Sequence, residues 1–278
     1  MGSGVSKTTA IRHTISAAIR PLTDRLVYTT RSGLVAGMKR QGGLGFFPRR
    51  VVEEERFYRT LNLKGRCVYD VGSYEGILSL YFAKEVGPDG YLVVCEPNPV
   101  SYCRTVRNLE INALLTRTST CNIALGDKQA TLLLTYPTAE PALSTFDPIA
   151  AARFYKDYGT RVSTCTIAVE TLDNLINDRK LPRPDLIKID TEGWEQSVLR
   201  GALHILRMDR PALFIELHGG PLGWLANKTA VFHLLTSLGY SIRDMYGTKV
   251  NSPTDPVSHY YASFSDHDLL APKAQDSN

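Results

Sequence analysis

No apolar run in this 278-residue chain approaches the length of a membrane span, there is no C-x-x-C pair, and no G-x-G-x-x-G occurs. Acids are nearly missing from the first fifty residues, where Asp24 is the only one. The first absence excludes a transmembrane helix. With no C-x-x-C and an odd number of cysteines, a disulfide framework or a zinc site is poorly supported. Cys67, Cys95, Cys103, Cys121 and Cys165 read instead as free thiols, mostly in apolar strands, of a protein in a reducing compartment such as the cytoplasm. No pattern of basic start, apolar core and small-residue cleavage site marks a signal peptide. The missing dinucleotide fingerprint counts against a bound pyrophosphate. The basic residues lack interleaved aromatics, which counts against nucleic acid.

What is present is ordinary globular composition, 43% hydrophobic and 22% charged, with an uneven charge. Residues 1–50 hold nine Lys or Arg against Asp24, a balance of +8, and the other 228 residues hold 23 basic and 27 acidic groups, a balance of −4. The expected organisation is a basic N-terminal extension over 1–50, one α/β domain over 51–270 and a polar tail over 271–278. In the extension, Ile11, Ile15, Ala18, Ile19, Leu22 and Leu26 recur at helical spacing. Three readings fit this stripe: a helix packed on the main domain, a peripheral contact with a membrane or acidic partner, or a targeting peptide. Packing is the default for one short stripe.

The most informative segment is Val68-Tyr69-Asp70-Val71-Gly72-Ser73-Tyr74-Glu75-Gly76, a strand that ends in an acid and turns through two glycines. A helix over Ile77 to Glu85 follows, then the strand Tyr91 to Cys95, ending at Glu96. Strand, glycine turn, helix, strand and acid is the layout of a nucleoside-binding unit. Alone, the glycines permit only a tight turn. With Asp70 and Glu75 beside the loop, a phosphate is repelled and a cation attracted. S-adenosyl-L-methionine carries an ammonium, a sulfonium and a ribose diol but no phosphate, so the loop favours it over NAD or ATP. Glu96 can accept hydrogen bonds from both ribose hydroxyls.

Further strands are expected at 121–125, 130–135, 162–169, 184–190, 211–218, 240–245 and 260–264. Helices are expected at 52–61, from Pro97 through Ile111, at 149–157, from Trp194 to Leu206 and at 228–238. Alternation of this kind predicts a parallel sheet. Residues 130–170 interrupt it and read as an inserted hairpin or flap. Asp70, Glu96, Asp127, Asp190, Glu192, Glu216 and His218 all fall at or just past strand ends, where open α/β sheets bind ligands. Methyl transfer to a hydroxyl needs alignment and a base. His218 is the candidate base, with Glu216 two residues before it to orient the imidazole or bind substrate; Asp190 and Glu192 are expected to bind the methionine part or to serve as alternative bases. Against this stand a structural hydrogen-bonded His218 and a helix-capping role for Asp190 and Glu192. A metal on Asp190, Glu192 and His218 finds no compact ligand spacing, so none is assigned.

These motifs resemble the FkbM family of S-adenosylmethionine-dependent methyltransferases. The matching pieces, within about residues 45–220, are Val68 to Gly72, Glu96-Pro97-Asn98-Pro99, Asn122 to Asp127, Thr171-Leu172-Asp173, Lys188 to Glu195 and Val198 to Ala202. The resemblance implies a Rossmann-like class I methyltransferase fold, mostly parallel and seven-stranded with an antiparallel last strand. It implies O-methylation of a sugar, glycan or secondary metabolite. By position, Asp70, Gly72 and Gly76 lie along the methionine end of the cofactor, Glu96 binds ribose, and Asp127 or its neighbours contact adenine. The full expected set is Asp70, Gly72, Ser73, Tyr74, Gly76, Glu96, Pro97, Asn98, Ala124, Asp127, Asp190 and Glu192. Ser73-Tyr74-Glu75 departs from the family loop. A non-catalytic cofactor-binding scaffold and an NAD-dependent oxidoreductase are the alternative readings.

Overall fold

The computed structural model of the chain describes residues 24–43, 52–219 and 223–270. The helical stripe of the extension falls almost wholly outside them, as does the tail. The described strands are β1 (Val27–Thr29), β2 (Lys39–Gln41), β3 (Cys67–Val71), β4 (Tyr91–Cys95), β5 (Thr118–Cys121), β6 (Ala124–Leu125), β7 (Ala130–Pro137), β8 (Val162–Glu170), β9 (Leu186–Ile189), β10 (Ala212–Glu216), β11 (Ser241–Arg243) and β12 (His259–Ser263). The helices are α1 (Glu53–Tyr58), α2 (Ile77–Glu85), α3 (Pro99–Glu110), α4 (Pro148–Tyr158), α5 (Leu172–Arg179), α6 (Glu195–Arg200), α7 (Leu203–Met208) and α8 (Trp224–Ser237).

Side chains alternate between the two faces of a strand, and in the central strands both faces are apolar. On β3, Cys67, Tyr69 and Val71 enter one core and Val68 the other. On β10, Leu213 and Ile215 enter the first core and Ala212 and Phe214 the second. Residues of α5, α6, α7 and α8 cover the first face, and residues of α1 and α2 the second. A sheet buried on both sides is the arrangement that a parallel α/β fold requires.

The main sheet has seven strands in the order β11-β12-β10-β9-β3-β4-β5. The pairs β10–β9, β9–β3, β3–β4 and β4–β5 are parallel, whereas β12 runs antiparallel to both β10 and β11. This is the Rossmann-like class I methyltransferase fold, with the last strand reversed. The chain leaves β3 toward β4 and β5 and returns to β9 on the other side. The switch point therefore lies where β3 and β9 end, at Gly72 and Asp190.

Two expected elements differ. The segment 121–125 is not one strand. The Asn122 side chain donates to the Glu96 and Pro97 carbonyls at 2.8 and 3.0 Å, which turns the chain after Cys121. Ala124 and Leu125 then join a separate three-stranded sheet, β6-β8-β7. Its antiparallel pair β7–β8, with α4 between, is the expected flap. The helix expected from Trp194 to Leu206 is two helices. A Cβ at Gly201 would stand 1.9 Å from the Gly126 carbonyl oxygen, so this close approach of two backbones accompanies the break.

The basic extension is tied to the glycine loop. Arg40 on β2 and Arg104 on α3 both hold the buried Glu75 carboxylate, each at 2.5 Å. Arg104 also reaches Asp24 at 2.9 Å. Backbone amides of Lys39 and Gln41 donate to the side chains of Asn112 and Asn108 at 3.0 and 2.8 Å. Removing one partner of a buried ion pair strands the other charge. Glu75→Gln is expected to lower unfolding stability by about 3–5 kcal/mol, read from the midpoint of urea denaturation. An unchanged midpoint would show that Arg40 and Arg104 do not depend on Glu75.

Candidate active site

A cavity opens at the carboxyl ends of β3, β4 and β9. It is lined by Gly72 and Tyr74 from the loop, by Glu96 and Pro97 after β4, by Ile123, Ala124 and Leu125, and by Asp190, Thr191, Glu192 and Trp194 after β9. The flap closes it with Leu134, Ser144, Thr145 and Phe146. Phe146 meets Trp194 edge to face at 5.4 Å, and Asn98 donates to Ser144 Oγ at 2.9 Å. Asn98 itself is buried at the start of α3, where its side chain accepts from Val100 and caps the helix.

Loop geometry explains the residue choice at the cavity floor. Gly72 has φ +77°, and a Cβ there would stand 1.8 Å from the Asp190 carbonyl oxygen. Only glycine lets β3 and β9 end this close together. Tyr74 and Glu192 also have positive φ, 50° and 52°, which costs a non-glycine residue on the order of 1–2 kcal/mol. Both line the cavity. Ala113, Lys180 and Arg210 adopt the same conformation at or just past helix ends, so what sets Tyr74 and Glu192 apart is their place on the cavity wall.

Glu96 holds the loop in place. One oxygen accepts from the Tyr74 amide at 2.7 Å and the other from the Asn98 amide at 2.9 Å. Burial raises its carboxyl to about 7, against the lowering effect of these bonds. A second cavity lies across the loop, lined by Leu34, Glu54, Tyr58, Ser73, Lys188 and Glu216 among others. Gly72, Tyr74 and Asp190 line both cavities and form the partition between them.

Several expected residues stand elsewhere. Asp70 is fully buried and does not line the cavity; it accepts from Ser79 at 2.5 Å and pairs with Lys188 at 3.3 Å. Glu75 is held by two arginines, so it offers no free charge to a cationic ligand. The electrostatic preference read from the two loop acids is thus corrected: both carboxylates are neutralised from within the fold. Gly76 packs against Thr105 at the start of α2. Asp127 is exposed and does not line the cavity. The turn at Asn122 carries it past the cavity, and its amide donates to Ser197 Oγ at 3.1 Å. Ile123, Ala124 and Leu125 take that side of the cavity.

Lys188 and Glu195 are the residues that sequence reasoning missed. The Lys188 ammonium is buried between Asp70 and Asp190, 3.3 Å from each, and donates to the Gly72 carbonyl at 2.7 Å. A lysine in the apolar strand Leu186-Ile187-Lys188-Ile189 was the available signal. Glu195 is fully buried and accepts from the Gly193 amide at 2.9 Å and from Asn227 at 2.6 Å. It also meets His218 Nδ1 at 3.2 Å. Burial works to raise its carboxyl, but these bonds leave it below the ordinary value.

His218 is not the free base that the sequence suggests. Its Nε2 faces Glu216, Asp190 and Glu192 at 3.6, 3.9 and 3.9 Å. Burial works against a charged ring, but Glu195 and Glu216, then Glu192 and Asp190, lift it to about 11. A ring that keeps its proton at neutral pH accepts none from a substrate. The structure thus brings Asp190, Glu192, Glu216 and His218 together as an acidic cluster around one imidazolium.

Fold and site together define a class: a class I methyltransferase α/β domain with its ligand cavity at the β3–β9 switch point and an acid at the end of β4. The model of the methyltransferase FkbM domain matches residues 70–242, more than half of the chain, and the chain belongs to that family. It is similar to methyltransferase sdnD of Sordaria araneosa, 28% identical over 155 residues that cover 48% of this chain and 59% of that protein. It is also similar to methyltransferase 1 of Beauveria bassiana strain ARSEF 2860, 26% identical over 145 residues covering 48% of this chain and 57% of the relative. The chain thus spans less than two thirds of the length of the curated relatives it matches. A crystal structure of methyltransferase FkbM from Methylobacillus flagellatus KT superposes with a TM-score of 0.45 at 16% identity, covering 76% of this chain and 50% of that one. Cofactor-bound Rv0187 from MTB gives 0.46 at 13% identity, covering 81% and 84%.

The contact at Gly72 is open to a paired test. Gly72→Ala is expected to cost more than about 3 kcal/mol, through overlap with Asp190 added to left-handed strain. Gly87→Ala, at φ +70° with nothing within 4 Å of the added Cβ, is expected to cost only about 1 kcal/mol. Equal losses in thermal unfolding would mean that strain alone selects glycine at position 72.

Proposed function

We propose that this chain is an S-adenosyl-L-methionine-dependent methyltransferase that transfers a methyl group to a hydroxyl of a sugar, glycan or secondary metabolite. The observation that carries this reading is Glu96, a buried carboxylate at the end of β4 that lines the cavity beside the apolar walls Ile123, Ala124, Leu125 and Phe146. An acid in that place suits a ribose diol, and the apolar walls suit an adenine ring. The methionine end then extends past Gly72 and Tyr74, and the acceptor approaches near Asp190, where the two cavities adjoin. In the transfer, the carbon–sulfur bond breaks with its electron pair kept on sulfur while a carbon–oxygen bond forms. The hydroxyl proton leaves to solvent or to a carboxylate of the cluster. Orientation of the two reactants supplies most of the acceleration.

In this reading residues 51–270 form the catalytic domain, and the part of the extension that includes Arg40 braces the cofactor loop from outside. The free thiols Cys67, Cys95 and Cys121, all buried, fit a reducing compartment such as the cytoplasm. Among the described residues no helix is long and apolar enough to cross a membrane. The four carboxylates around His218, which favour its charged form and leave no free base there, favour a non-catalytic scaffold. Such a protein would bind the cofactor yet consume none with any acceptor.

Ribose hydroxyls donate to an ionised carboxylate, so the cofactor selects the charged form of Glu96. With that carboxyl at about 7 in the free protein, affinity is lost as pH falls through 7. Calorimetric titration with S-adenosyl-L-methionine is expected to show about tenfold weaker binding at pH 6 than at pH 8. In Glu96→Gln the binding should be weak and that pH step gone. Tight NADH binding, with none of S-adenosyl-L-methionine, would sink the reading.

A further inference from the structure

We propose that Asp190, Glu192 and His218, with Glu216 beside them, form a divalent-cation site around Asp190, where the two cavities adjoin. The linear sequence gives no compact ligand motif, because the ligands come from two strand ends. Asp190 and Glu192 follow β9, and His218 follows β10. In the fold, one ligand atom from each of these three lies within 4.8 Å of the others.

Distances around His218 Nε2 separate a cation site from a hydrogen-bonded cluster. Its three carboxylate neighbours stand at 3.6, 3.9 and 3.9 Å, beyond hydrogen-bond reach. Atoms that share an ion at about 2.1 Å lie roughly 3 Å apart when adjacent and about 4.2 Å apart when opposite. The three separations lie between those two values, so the donors need shift by less than about 1 Å to close on an ion. The ring is also held for the task from behind. Nδ1 meets the fully buried Glu195 carboxylate at 3.2 Å, and Glu195 is fixed by Gly193 and Asn227. A buried carboxylate on the far nitrogen is how metal-binding imidazoles are oriented, with the near nitrogen turned to the ion, which displaces the Nε2 proton to solvent as it binds.

Charge points the same way. Lys188 contacts Asp190 through Oδ2, which leaves Oδ1 turned to the cluster. Glu216 adds a carboxylate whose other oxygen lies 3.8 Å from His259 Nε2, a buried nitrogen with no hydrogen-bond partner among the described residues. The cluster thus collects more negative charge than its imidazole balances. Three carboxylates are hard oxygen donors and the imidazole is a borderline one, a mixed set that suits Mn2+ better than a thiolate-seeking ion. If the transfer reading above holds, an ion here sits beside Asp190, where a hydroxyl ligated to it is made more acidic. The deprotonation then no longer depends on His218.

Binding is tested apart from that reading by titrating the full chain with Mn2+, without cofactor or acceptor, and following the loss of the free-ion electron paramagnetic resonance signal. One Mn2+ per chain is expected. His218→Ala should abolish binding, and Glu192→Gln, at a half-exposed side chain that leaves folding intact, should weaken it at least tenfold. Glu195→Gln should weaken it about 10- to 100-fold, the size of effect expected of a residue that orients a ligand. Absence of stoichiometric binding, or binding unchanged in Glu192→Gln, overturns the site.

Discussion

A buried ammonium organises the centre of this protein. Lys188 lies on β9 in register with Asp70 of β3, and its charge joins Asp70, Asp190 and the Gly72 carbonyl. Burial works to discharge the lysine, but Asp190 and Asp70 hold its pKa above the usual value. A lone ion in that place would cost several kcal/mol, and the paired arrangement fixes geometry more than it adds stability. What it fixes is the switch point. The ends of β3 and β9 are drawn together there, and the glycine at position 72 is the residue that tolerates the approach.

From that constraint the acids divide into two groups. Asp70 and Glu75 face inward and are matched by Lys188, Arg40 and Arg104, so they shape the loop without offering charge to a ligand. Glu96, Asp190, Glu192 and Glu216 face the cavities. Glu96 both secures the strained turn at Tyr74 and remains at the cavity wall. The other three surround His218, whose protonation follows from its company rather than from its ordinary acidity. A histidine among four carboxylates behaves as a counter-ion or as a metal ligand, and in neither state is its lone pair free.

Much of this was legible in the sequence because local pattern carries it. Strand and helix alternation, the glycine turn, Glu96 at the end of the second strand and the insertion at 130–170 all survive in the structure. The losses have one physical source, which is partners distant along the chain. Glu75 reads as a free loop acid because Arg40 and Arg104 lie about thirty residues away on other elements. Asp127 reads as a strand-end acid because the turn after Cys121 depends on the Asn122 side chain reaching back to Glu96. His218 reads as a base because Glu195, its neighbour in space, lies 23 residues earlier. Lys188 stood in plain view as a charge inside an apolar strand, yet only the register with Asp70 shows what it does.

In the proposed function, the cavity bounded by Gly72, Glu96 and Leu125 takes the nucleoside of S-adenosylmethionine. A crystal structure of the protein with S-adenosylhomocysteine tests it most directly. Both ribose hydroxyls are expected within hydrogen-bond distance of the Glu96 carboxylate, with the adenine against Ile123, Ala124 and Leu125 under the flap. Density for the nucleoside in any other cavity, or a ribose that leaves Glu96 untouched, would contradict it.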